Sequence, residues 1–108
     1  MTEQTRETPL LDLLGDMTAA SLEASSLDAQ TLMLVRIGAL AAVDAPPASY
    51  LLNLGAASEM GVDVDQITGV LAGIAPIVGG PRVVAATGNI AKALGLAIDL
   101  AEAELEEE

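Results

Sequence analysis

Cysteine and histidine are both absent from these 108 residues. Without cysteine there can be no disulfide, no thiolate nucleophile and no thiolate metal ligand. Without histidine the usual imidazole base is missing, together with the commonest transition-metal ligand. No metal and no cofactor is therefore expected. Phe and Trp are absent too, which leaves Tyr50 as the single aromatic ring. Positive charge is scarce: Arg6, Arg36, Arg82 and Lys92 stand against sixteen acids, for a net charge of -12. Nucleic acid is excluded as a partner, because phosphate binding relies on Lys and Arg. An anionic membrane surface is disfavoured for the same reason. The charge reads as solubility and self-repulsion.

What is abundant is small and apolar. Hydrophobic residues make up 52% of the chain, mainly Ala, Leu, Val and Ile. These suit close helix packing but supply little of the aromatic area from which binding hot spots are built. A monomer of this size buries only roughly two-thirds of the surface its unfolded chain exposes. Some of the apolar excess is therefore expected at a subunit interface, and a homo-oligomer is expected. No uninterrupted apolar run reaches the ~18 residues needed to span a bilayer, and Met1–Pro9 is too acidic and polar for a secretory signal. A cytoplasmic protein with no membrane partner is expected.

The apolar periodicity predicts an all-α fold of five or six helices in a single domain. Residues 1–8 read as a flexible arm and 9–108 as the domain. Pro9 can open a helix over about 9–20, with Leu10, Leu13, Leu14 and Met17 at helical spacing and Gly15 as an interruption. Ser25 with Asp28 suggests a capping box for the next helix. That helix, Asp28 to Val43, is apolar almost all round with Arg36 as its sole charge, which predicts a buried central helix. Pro46 stops it and Pro47 suits the first turn of a third helix running to about Met60. Gly61 stands where a left-handed cap is commonest. The third helix should turn Tyr50, Leu51, Leu54 and Ala57 inward, and Ser49 and Asn53 share a face of its first turns.

Asp63 and Gln66 form a second capping-box pattern, opening a helix through Ile67, Val70, Leu71 and Ile74. Pro76 should kink it or end it near Ala75. Gly79–Gly80 is a clear break. Pro81 then begins a helix with a soft point at Gly88–Asn89 and either a cap at Gly95 or a continuation. Leu94, Ile98, Ala101 and Leu105 mark a last amphipathic segment, and Glu106–Glu108 should fray. Gly69-x-x-x-Gly73 reads as close helix packing. A phosphate cradle would need a preceding strand and a nearby Lys.

Residues 27–95 resemble the carboxymuconolactone decarboxylase family, which includes the AhpD-like alkylhydroperoxidases. Leu32–Ala42 is similar to the first core helix of that family, Ser49–Ala57 to the helix carrying its active site, and Gly61–Val62 with Asp63–Ile67 to the opening of the following helix. The resemblance implies an all-α AhpD-like fold assembled as a homo-trimer or homo-hexamer, with the active helix near a subunit interface. The redox branch uses Cys-x-x-Cys-x-x-x-His and an upstream Glu. Those positions fall here on Pro46, Ser49 and Asn53, with the Glu near Leu34, so all four reagents are missing.

Peroxidase activity is thereby excluded, since it needs a thiolate. Ser49 has no base within reach, because its same-face neighbour Asn53 carries no basic nitrogen. The candidate pocket is Arg36, Ser49, Tyr50, Asn53 and Arg82, with no catalytic residue assigned. Arg36 must find an anion or water, and Asp44, Glu59 and Asp63 are the expected partners. The expected role is a catalytically inactive, oligomeric small-molecule-binding or accessory protein, its ligand small and apolar or carboxylated. The alternative is a decarboxylase or lactone-processing enzyme of aromatic catabolism with relocated groups. An enclosed wet pocket with an inward arginine favours that enzyme, whereas a pocket filled by Leu34, Leu52 and Tyr50 with both arginines in salt bridges opposes it.

Overall fold

The computed structural model describes residues 8–106, and among these every regular element is a helix. In chain order they are α1 (Pro9–Ala24), α2 (Ala29–Ala42), α3 (Pro47–Glu59), α4 (Val64–Val78) and α5 (Gly80–Glu106). The five helices agree with the all-α expectation. The expected arm, apart from Thr8, and Glu107–Glu108 lie outside the described residues.

Helix α2 packs against α3, α4 and α5, so it is central to the bundle as its composition predicts. Its inner face is Leu32, Met33, Ile37, Gly38 and Ala41. Tyr50, Leu54 and Ala57 of α3, Leu71 of α4, and Ala86, Ile90 and Ala93 of α5 close the core around it. The expectation of burial on every side is corrected, because Val35 on the outer face of α2 is 53% exposed. Helix α1 stands apart. It has no buried residue, and its six large apolar side chains, from Leu10 to Leu22, remain 46–66% exposed.

The joints follow from local chemistry. Asp28, not Ser25, caps α2: its carboxylate accepts from the Thr31 backbone N–H at 2.8 Å and from the Thr31 hydroxyl at 3.0 Å. These bonds hold the Asp28 carboxyl below its usual range. Ser25 instead follows the end of α1, where its Oγ accepts from the Leu27 N–H. The expected box between Ser25 and Asp28 is thus replaced by a charged cap three residues on, the stronger acceptor winning.

Helices α2 and α3 end alike. Asp44 takes φ 58° and Gly61 φ 86°. The next residues, Ala45 and Val62, donate back to Leu40 O and Ala57 O at 3.0 and 2.9 Å. This is the Schellman arrangement, and both following side chains are buried over it. Asp63 and Gln66 complete the expected capping box, with Asp63 N–H donating to Gln66 Oε1 at 3.0 Å and Gln66 N–H to Asp63 Oδ1 at 2.9 Å.

Helices α4 and α5 both continue past the residues at which an ending was one alternative. Helix α4 runs through Pro76 to Val78 and ends at Gly79, φ 92°. Only one backbone donor is lost there, two residues before the end, so a full stop at Ala75 is unnecessary. Helix α5 runs through Gly88–Asn89 and Gly95 as one 27-residue element. As a result Gly80–Leu100 is long and apolar enough to cross a membrane by length and composition, with mean hydropathy 1.4. Counting uninterrupted apolar residues misses this, because Arg82, Asn89 and Lys92 break the run but not the helix. Ala86, Ile90 and Ala93 within it pack into the core, while most of the span stays exposed.

Candidate functional site

The turn from α2 into α3 is fixed from two sides. Asp44 and Ala45 close α2, Pro46 occupies the cap position of α3 and Pro47 its first turn. The Asn89 side chain of α5 donates to Ala45 O at 3.2 Å, tying the turn to the far helix. Sequence reasoning marked Asn89 as a soft point and missed this bond, which spans 44 residues. Its only local signal was an amide in an otherwise apolar run.

An open groove of about 280 Å³ lies between α1, α2 and α3. Leu14, Met17, Thr18, Ser21, Arg36 and Asn53 line it. Arg36 is half-buried and donates through Nη2 to Ser21 Oγ at 2.9 Å. The expected salt bridge to Asp44, Glu59 or Asp63 is corrected. A residue of α1, fifteen positions earlier, supplies a neutral acceptor instead. A guanidinium offers five N–H donors, and this one bond leaves most of them facing the groove. Asn53 donates from Nδ2 to Ser49 O at 2.9 Å, one turn back along α3. Its carbonyl oxygen stays available at the groove wall. The amide therefore braces its own helix and presents one acceptor.

The remaining candidates do not converge there. Ser49 is half-buried and its backbone carbonyl, through Asn53, is its link to the groove. Tyr50 is 0% exposed, inside the core. Its hydroxyl has no hydrogen-bond partner among the described residues, and desolvation, followed by the Asp44 carboxylate, raises its pKa above the usual 10.0. A buried, protonated phenol of this kind is neither base nor nucleophile at neutral pH. Arg82 is exposed at the start of α5 and does not line the groove. Leu34, at the position matched to the upstream Glu, lines a different groove between α2 and α4. Leu52 is 77% exposed and fills no pocket.

Chemically the α1–α3 groove can hold an anion. It combines one cation, two hydroxyls and one amide with the apolar walls of Leu14 and Met17. It contains no carboxyl group, so no side chain there can act as a general acid or base near neutral pH. Among the described residues no three acids gather where a metal ion could bind.

Comparison with curated proteins and with solved structures gave no significant match. The family comparison is positive: the model of the Carboxymuconolactone decarboxylase family matches residues 9–92. That span runs from the first turn of α1 into the middle of α5, and includes the Pro-Pro turn and every residue of the groove. Helix order and the matched span agree, and the chain belongs to the carboxymuconolactone decarboxylase family.

Proposed function

We propose that this chain is an oligomeric binding or accessory protein without peroxidase activity, and that its ligand is small, with a carboxylate and an apolar body. Peroxide reduction begins with thiolate attack on oxygen. Pro46, Ser49 and Asn53 occupy the positions that would have to supply thiol and imidazole. The observation that carries the reading is Arg36: half-buried, bonded to one neutral hydroxyl, and opening on a groove with apolar walls. A carboxylate would meet the guanidinium through charge-assisted bonds, and its chain would lie against Leu14 and Met17. Decarboxylation or lactone processing would further need a proton donor. The absence of a carboxyl group from the groove favours binding over turnover.

Self-association, as a trimer or hexamer, is supported by how the apolar residues are distributed. Eighteen large hydrophobic side chains are exposed among the described residues, against thirteen apolar residues in the core, five of them alanine. Single-domain proteins seldom leave so much apolar surface uncovered.

Calorimetric titration with hexanoate, using hexanol as the uncharged control, tests the ligand reading. Hexanoate is expected to bind and hexanol to bind at least tenfold more weakly. Arg36→Gln should remove that difference. Equal binding of the two probes, or unchanged hexanoate affinity in Arg36→Gln, would overturn the reading. Release of carbon dioxide from a carboxylated lactone, lost in Arg36→Gln, would replace it with the enzyme.

A further inference from the structure

Helix α1 supplies four of the six residues that line the Arg36 groove: Leu14, Met17, Thr18 and Ser21. At this spacing they share one helical face. That face is turned to the bundle, yet α1 is not packed on it. No residue of α1 is buried, and among the described residues no Cα of α1 comes within 8 Å of a Cα in another helix. Helices in direct contact run ~8–10 Å apart between axes, so their facing Cα atoms come closer than that. The groove is the space that separates α1 from α2 and α3.

Local chemistry holds α1 weakly as well. Gly15 interrupts it, Thr8 at its start makes no side-chain cap bond, and its last turn carries no base. A helix of 16 residues is marginal in water by itself, and most helices draw their stability from packing. The bond from Arg36 Nη2 to Ser21 Oγ crosses to the bundle at 2.9 Å, but it is exposed.

We infer that α1 is a strap that the ligand itself holds down, the occupant of the groove standing in for the missing core between α1 and the bundle. The inference rests on the ligand reading proposed above and adds how that site closes. A carboxylate on Arg36 would lie beside Ser21, and an apolar body would cover Leu14 and Met17, which are 46% and 57% exposed. Burial of those side chains is the packing that α1 otherwise lacks. Closure and binding are then linked, and each strengthens the other. The apolar body becomes a requirement, because a bare carboxylate would meet Arg36 and leave α1 as it was.

Hydrogen exchange of the α1 amides, read by mass spectrometry on the full chain, tests the strap. Without ligand they should exchange faster than those of α2. With hexanoate at about ten times its Kd they should slow by roughly tenfold, and acetate at the same concentration should leave them unchanged. Calorimetry on Gly15→Ala gives a second arm. Gly15 lies outside the groove lining, and a Cβ added there meets nothing within 4 Å. The better helix former should tighten hexanoate binding by up to about fivefold. Equal affinity in Gly15→Ala, α1 exchange unmoved by bound hexanoate, or equal slowing by acetate would overturn the strap and leave the ligand reading standing. So would α1 amides as slow as those of α2 before ligand is added, since the bundle or another copy would then already hold the helix. Hexanoate that fails to bind removes the ligand reading, and the strap with it.

Discussion

Tyr50→Phe should stabilise the fold. The ring is fully buried and its hydroxyl meets no partner among the described residues, so the folded chain bears the desolvation of that group with nothing in return. An unsatisfied buried polar group costs about 1–3 kcal/mol, while replacing it by an apolar group of the same shape is nearly neutral or stabilising. Phenylalanine keeps the ring and removes only the oxygen. A gain of about 1 kcal/mol is expected, and for a domain near this size that is a rise of roughly 4–8 °C in Tm. Urea unfolding followed by circular dichroism at fixed protein concentration measures it, because association would otherwise shift the apparent stability. Alkaline pH adds a second arm. Tyr50 has its pKa raised in the fold by burial, then by Asp44, so above the ordinary value of 10.0 the unfolded chain loses a proton that the folded chain keeps. Stability is then complete below that pH and falls as pH rises through the folded pKa. Tyr50→Phe should lack this loss. A destabilisation of more than about 1 kcal/mol would refute the reasoning, since it would mean that the hydroxyl is satisfied.

Two further substitutions test the joints of the fold. Gly61→Ala places a side chain at φ 86° and within 2.9 Å of Gln30 Nε2; a loss of about 1–3 kcal/mol in the same urea assay is expected, and none would show that the turn relaxes freely. Asp28→Ala removes the α2 cap. Because the Asp28 carboxyl is held below its usual range by Thr31, its contribution should be present above pH 4 and fade as acid protonates it, with ~3.9 as the unfolded reference. Wild type and Asp28→Ala should therefore differ at neutral pH and converge in acid, and a difference independent of pH would contradict the assignment.

The parts of the fold that were legible in the sequence are those decided within one helical turn. Asp63 with Gln66, the Pro46–Pro47 pair and Gly61 each fix their backbone through neighbours two or three residues away, so residue type and spacing suffice. What was left open or misread lies where tertiary contacts override local preference. Pro76 and Gly95 weaken a helix locally, yet α4 and α5 are held by packing along their inner faces and continue. Ser25 was read as the cap with Asp28 as its box partner, whereas Asp28 itself is the cap. At the candidate site, Arg36 was identified as a charge needing a partner, but Ser21 could not be named because α1 carries no core residue to fix its placement. Asn89 was missed for the same reason, its acceptor lying 44 residues away. The five proposed pocket residues divide accordingly: Arg36 and Asn53 share a groove, Ser49 braces it, and Tyr50 and Arg82 lie elsewhere.

The exposed apolar surface gives the account its central claim, that the working form is an assembly. Light scattering coupled to size exclusion at micromolar concentration tests it most directly. The expected mass is a whole multiple of 10.9 kDa, three or six copies being the proposed numbers. A single species at 10.9 kDa that persists as concentration rises would contradict the claim.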